Sequence, residues 1–150
     1  MKCPFCTMSK IENEIWFETP NFLCIYNQKP ILPGHSLIIP KKHCESFVDM
    51  DKDEMEDLIG LLKFSVEVLM KSYDGTGYNI SLQNGEEAGA SIRHIHWHVI
   101  PRKENDIEGD PSKWHAMIIE SERNKQPVSD EEIQKNVDII KETILKMKRR

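Results

Sequence analysis

The sequence predicts an α+β domain built on a largely antiparallel sheet. Short apolar runs at 15–18, 22–26, 35–40 and 78–83 are bounded by turn residues, as strands are. Met55, Leu58, Ile59, Leu62, Val66, Leu69 and Met70 recur at three- and four-residue spacing, the period of an amphipathic helix. Ile95, Trp97 and Val99 alternate strictly with His94, His96 and His98, the period of a strand.

At 150 residues, the chain predicts one domain over 1–150, long enough to bury a real core. No apolar run is long enough to span a bilayer, and Met1 opens no signal-peptide pattern, so a cytoplasmic protein without a membrane partner is expected. The net charge of -5 argues against a nucleic-acid footprint covering a whole face. The basic end, Lys146 to Arg150, reads as solubilising. Four cysteines in a cytosolic chain are not a disulfide framework.

Cys3-Pro4-Phe5-Cys6 comes first. A Cys-x-x-Cys pair is a redox pair, half of a tetrahedral zinc site, or a pair of free thiols at a terminus. Nothing before Cys3 forms the strand that a redox motif follows. A zinc site needs two further ligands, for which His35, His43, His94 and His115 are available. Two short strands follow at 15–18 and 22–26, joined by the turn residues Thr19-Pro20-Asn21. A Pro/Gly-punctuated loop at 27–34 leads to a third strand at 35–40, ended by Pro40. Cys24 reads as a small core residue, and Cys44 has no evident task.

Asp49 or Asp51 caps the central helix, expected over 52–73. Residues 74–77 end it, and 78–83 alternate as a fourth strand. The loop at 84–91 carries two glycines and runs into the histidine strand. It is either a bare connection or a turn whose N–H groups face a phosphate. Residues 103–113 are polar and irregular, and 114–119 are expected to add an edge strand. A last helix begins after Val128-Ser129-Asp130, with Ile133, Val137, Ile140, Ile144 and Met147 on its apolar face.

On a strand, His94, His96 and His98 share one face, neighbours lying roughly 6.6 Å apart. That spacing suits imidazoles gathered around one small anionic group. A neutral imidazole attacks phosphorus when one ring nitrogen is free and the other holds its proton in a fixed hydrogen bond. Flanking histidines then stabilise charge or assist the leaving group. Which histidine attacks is not decided by spacing; His96, the central one, is the symmetrical choice.

Residues 83–102, with His94-Ile95-His96-Trp97-His98 and Pro101-Arg102, resemble the signature of the histidine triad (HIT) superfamily. Residues 27–43, with Pro33-Gly34-His35 and Pro40-Lys41-Lys42-His43, resemble its other shared stretch. The resemblance extends over essentially the whole chain, and the two motifs together are highly specific. They look closest to the branch of the fragile histidine triad protein, which cleaves dinucleoside polyphosphates to a nucleoside monophosphate. The resemblance implies a five-stranded antiparallel sheet with two helices, paired into a homodimer with one continuous sheet. It implies His96 as the nucleophile on the α-phosphorus, its second nitrogen held by the His94 carbonyl. His98, Gln83 and Ser91 would contact the phosphates and leaving side, and His35 would sit beside the triad. Asn27 would take the ribose, with Ile25 and Leu37 against the base. It also implies a structural zinc on Cys3, Cys6, His43 and His94, and no organic cofactor.

Two positions depart from the pattern. Ala90 stands where the family often has glutamine, removing a polar contact near the phosphates. Trp97 is bulkier than the usual valine or leucine and is expected to face away from the site. His98 argues against uridylyl transfer, whose related enzymes carry glutamine there. Hydrolysis of dinucleoside polyphosphates is the leading expectation. A nucleoside phosphoramidase or a phosphorolytic enzyme would use the same nucleophile, and a catalytically idle nucleotide sensor is the alternative outside enzymes.

Overall fold

The computed structural model describes residues 3–149. Five strands form one antiparallel sheet: β1 (Ile15–Glu18), β2 (Phe22–Tyr26), β3 (Ser36–Pro40), β4 (Gly77–Leu82) and β5 (Trp97–Arg102), in the order β1-β2-β3-β5-β4. The helices are the single turn α1 (Met8–Ile11), the long α2 (Lys52–Ser72), α3 (Trp114–Asn124) and the long α4 (Asp130–Lys148). The five-stranded antiparallel sheet and both long helices are thus as expected. No helix of the described residues is long and apolar enough to cross a membrane.

Alternation along the strands divides the core in two. Phe22, Cys24 and Tyr26 of β2, Ile38 of β3, and Trp97 and Val99 of β5 pack with Leu58, Leu61, Val68 and Leu69 of α2 and with Val137, Ile140 and Ile144 of α4. Leu23 and Ile25 of β2, with Leu37 and Ile39 of β3, face the other way and meet Ile11, Phe5 and Ile15. A period-two strand has to split its side chains in this manner. Trp97 therefore lies in the helix-side core, and its neighbours His96 and His98 project to the opposite face. Asp51 caps α2 by accepting from the Glu54 N–H, and Ser129 caps α4 by accepting from the Glu132 N–H.

The structure corrects three local expectations. Residues 114–119 are helical, within α3, and form no edge strand. Asp110 accepts from the Ser112 N–H and starts a helical turn at Pro111–Lys113 that leads directly into it. Ile118 and Ser121 are its buried positions, a helical spacing that six residues could not reveal. β5 begins only at Trp97, paired with Leu82. Before it, Ile95 N–H donates to the Cys44 carbonyl at 2.7 Å, so His94 and His96 precede the ladder. His35 lies just outside β3, where its N–H closes a turn onto the Leu32 carbonyl at 3.1 Å.

Candidate active site

A row of aromatic rings runs along the open face of the sheet. Ring centroids are 5.7 Å apart for Phe5 and His94, 5.1 Å for Phe5 and His96, 5.2 Å for His96 and His98, and 5.1 Å for His98 and His35. All four histidines are buried. Burial holds each below the ordinary imidazole range, His35 down to about 3 and His98 well below. At neutral pH they are uncharged, so each carries one ring proton, and the neighbours decide where.

The assignments follow from fixed main-chain groups. The His96 Nδ1 lies 2.8 Å from the His94 carbonyl oxygen. A carbonyl only accepts, so Nδ1 carries the proton and Nε2 keeps its lone pair. The His94 Nε2 lies 2.8 Å from the Pro40 carbonyl, which likewise frees the His94 Nδ1. At His35, the Ile31 N–H donates to Nδ1 at 3.1 Å, so the proton sits on Nε2. That Nε2 faces the His98 Nδ1 at 2.8 Å and donates to it. His98 is left protonated on Nε2, a buried atom with no hydrogen-bond partner among the described residues. Asn27 Nδ2 also approaches the His35 Nε2, at the longer 3.3 Å, from a side chain that lines the cavity.

The cavity beside this row has a volume of about 330 Å³. Ile25, Leu37 and Ile11, with Pro4 and Phe5, form its apolar lining. Asn27, Ser91 and His96 also line it. So do Lys29, Glu14 and Glu122, which inspection of the sequence did not single out. His35 lies behind His98, fully enclosed. Gln83 bonds to Ser81 and lines a neighbouring cavity of about 220 Å³ together with Ala90, Ser91 and Arg93. Ser91 and Ile92 line both cavities and lie at the boundary between them.

Glu122 is the most consequential residue that sequence inspection passed over. Its carboxylate is 3.6 Å from the His98 Nε2. It sits on α3, which is fastened to the 27–31 segment by three bonds: Lys29 Nζ to the Glu122 carbonyl (3.1 Å), Ser121 Oγ to the Lys29 carbonyl (3.0 Å) and Lys125 Nζ to the Pro30 carbonyl (2.7 Å). The only signal for it in the sequence was the helical period of 114–124, which a strand assignment hid.

At the end of the ring row the two N-terminal thiols meet two histidines. Cys3 Sγ lies 3.3 Å from the His94 Nδ1, Cys6 Sγ 3.3 Å from the His43 Nδ1, and Cys6 Sγ 3.5 Å from the His94 Nδ1. Ligand atoms of Cys3, Cys6, His43 and His94 all lie within 4.8 Å of one another. Tetrahedral zinc requires S···N edges of about 3.6 Å. Pro40 leaves the His94 Nδ1 free to ligate, and Glu45 lies 3.5 Å from the outer nitrogen of His43, an orienting contact common around metal-bound histidine. The donor set therefore fits a closed Cys₂His₂ site.

Comparison with known proteins identifies the family and the fold. The HIT domain family matches residues 8–105. The chain is 34% identical over 124 residues to bis(5'-adenosyl)-triphosphatase of Dictyostelium discoideum, covering 83% of this chain and 80% of that one. The crystal structure of Plasmodium falciparum diadenosine triphosphate hydrolase, solved with cyclomarin A, superposes with a TM-score of 0.73 at 29% identity, over 90% of this chain and 78% of that chain. A hypothetical histidine triad nucleotide-binding protein from Sulfolobus tokodaii superposes with a TM-score of 0.79 at 26% identity, over 98% of this chain and 95% of that chain.

Proposed function

The chain belongs to the HIT domain family, and from that premise we propose that it hydrolyses dinucleoside polyphosphates, releasing a nucleoside monophosphate through a nucleotidyl-His96 intermediate. The observation that carries this is the His96 Nδ1 bond to the His94 carbonyl, which leaves an Nε2 lone pair beside a nucleoside-sized cavity. Named relatives that act on diadenosine triphosphate support the same reading. The 1–150 span acts as one catalytic unit.

In this reading the base lies against Ile25 and Leu37, and Asn27 takes the ribose hydroxyls. The α-phosphorus sits in front of His96. His96 Nε2 attacks it, the P–N bond forms, and the bond to the leaving phosphate oxygen breaks. The leaving group departs as an anion, accepting a hydrogen bond from the His98 Nε2–H. His35 holds that proton in place by donating to the His98 Nδ1. Ser91 contacts the phosphate at the boundary of the two cavities, and Gln83 faces the leaving side. Water then releases the monophosphate.

One zinc on Cys3, Cys6, His43 and His94 is part of this reading. Its role would be structural: four protein ligands would fix the N-terminal turn and leave no position for substrate. Between the two cysteines, Pro4 and Phe5 are thereby held as a cavity wall. A homodimer is supported by the edge strand β4, which leaves Tyr78 and Ile80 exposed.

The test is product analysis for wild type beside His96→Ala. Diadenosine triphosphate, diadenosine tetraphosphate and adenosine 5′-phosphoramidate are supplied, each with and without phosphate. AMP from the diadenosine compounds, absent with His96→Ala, is the expected result. AMP from the phosphoramidate alone, ADP formed only with phosphate present, or nucleotide binding without turnover would each replace the hydrolase reading.

A further inference from the structure

We propose that Glu122 is the general base of the second half-reaction, taking a proton from the water that cleaves the nucleotidyl-His96 bond. The inference rests on the hydrolase reading above and adds a catalytic residue to it. It begins from a deficit: among the histidines around the phosphate, no free base remains once His96 is nucleotidylated. The His96 Nδ1 proton is held by the His94 carbonyl, and its Nε2 is bonded to phosphorus. The His98 Nε2 already carries a proton, because its Nδ1 accepts from His35. The His35 Nδ1 accepts from the Ile31 main chain and is enclosed. The His94 Nδ1 faces the cysteine thiols. A histidine relay locked in this way supplies a nucleophile and a hydrogen-bond donor and leaves the water unactivated.

Glu122 lies where that missing base is required. Its carboxylate is 3.6 Å from the unpartnered His98 Nε2, which is slightly too long for a direct bond. One ring nitrogen each of His96 and His98 and one Glu122 oxygen fall within 4.8 Å of one another. A water replacing the departed leaving group between them has the His98 N–H as a donor, Glu122 as an acceptor and phosphorus within reach. The position of Glu122 is built in: Lys29 Nζ and Ser121 Oγ fasten its turn of helix to the segment that carries Asn27 and supplies the Ile31 N–H.

Burial raises the Glu122 carboxyl above the ordinary glutamate range, while the nearby Ser91 hydroxyl and the charges of Lys29 and Arg123 hold it down. The groups facing it are His98 and His96 across the cavity, Ser91 beside it, and Lys29 and Arg123 at its edge. The result is a carboxylate more basic than usual. The step balances: the water oxygen bonds to phosphorus, the P–Nε2 bond breaks with its electron pair returning to His96, and the water proton passes to Glu122 and then to solvent.

The experiment is rapid-quench kinetics with diadenosine triphosphate on wild type, Glu122→Gln and Glu122→Ala, the last with and without formate, with thermal unfolding recorded for each. Glu122→Gln is expected to release one ADP per site at a near wild-type rate, and then to turn over at least ~10²-fold more slowly. Intact mass should show nucleotidyl-protein accumulating, and formate should restore AMP release by Glu122→Ala. Wild-type turnover by Glu122→Gln overturns the proposal. So does loss of the first ADP together with turnover in both folded variants, because Glu122 would then serve the first step. Absence of AMP from wild type itself would instead overturn the hydrolase reading on which this one stands.

Discussion

His94 presents its main chain to one site and its side chain to another. Its carbonyl accepts the Nδ1 proton of His96 at 2.8 Å, while its own imidazole, held by Pro40, points Nδ1 at Cys3 and Cys6. Whatever fixes the ring of His94 also fixes the carbonyl that orients the nucleophile. Because these residues precede the β5 ladder, sheet hydrogen bonds alone do not hold them.

Metal removal should therefore be felt at the active site. Wild type is expected to carry one zinc per chain by elemental analysis. Chelation, or His43→Ala, should lower the melting temperature by several degrees, as expected for the loss of a few kcal/mol. KM should rise on the order of 10-fold, since Phe5 lines the cavity between the two cysteines. A metal-free protein with unchanged KM would separate the two sites.

His35 is fully buried, yet it decides which nitrogen of His98 carries the proton. His35→Phe keeps the ring volume and removes the donor. It should lower kcat on the order of 10²-fold with little change in KM. In ¹⁵N spectra, wild-type His98 should show the Nε2–H tautomer, and the variant should show a mixture. A pure Nε2–H signal in the variant would remove His35 from that role.

Much of this site was legible in the sequence because its strongest signals are local. The alternation of histidines with Ile95, Trp97 and Val99 displays period two directly, and Trp97 faces the helix-side core as that period requires. Both long helices were legible from their apolar stripes and caps. What stayed hidden depends on contacts between distant segments. The Ile95 bond to Cys44 delays the start of β5, and α3 is docked by Lys29 and Lys125. Glu122 reaches His98 only because of that docking, so no local pattern could reveal it.

Gly34 allows His35 to approach the triad. Its φ is +93°, in the left-handed region, and an added Cβ would lie 2.6 Å from the Pro101 ring and 2.7 Å from Tyr73. The Tyr73 ring is held in place by its hydroxyl bond to Asn136. Gly34→Ala should cost about 2–3 kcal/mol by chemical denaturation, from backbone strain and overpacking together. A loss under ~0.5 kcal/mol would mean that the loop relaxes freely.

Glu14 gives stability a pH dependence of unusual sign. It is buried in the cavity wall and accepts from the Gln28 amide. Burial raises its carboxyl from 4.5 to about 7; the Gln28 bond opposes this and the charge of Asp130 adds to it. The folded state thus holds the proton more tightly than the unfolded chain does. Its contribution is fully present below pH 4.5 and is lost as pH rises through about 7. Glu14→Gln keeps the acceptor for Gln28 and removes the titration. Relative to wild type, the variant should gain roughly 1–2 kcal/mol at pH 8, allowing for screening by the open cavity, and nothing at pH 4. Denaturation curves for both proteins at the two pH values decide it: an equal difference at both would mean that folding leaves the proton affinity of the Glu14 carboxyl unchanged.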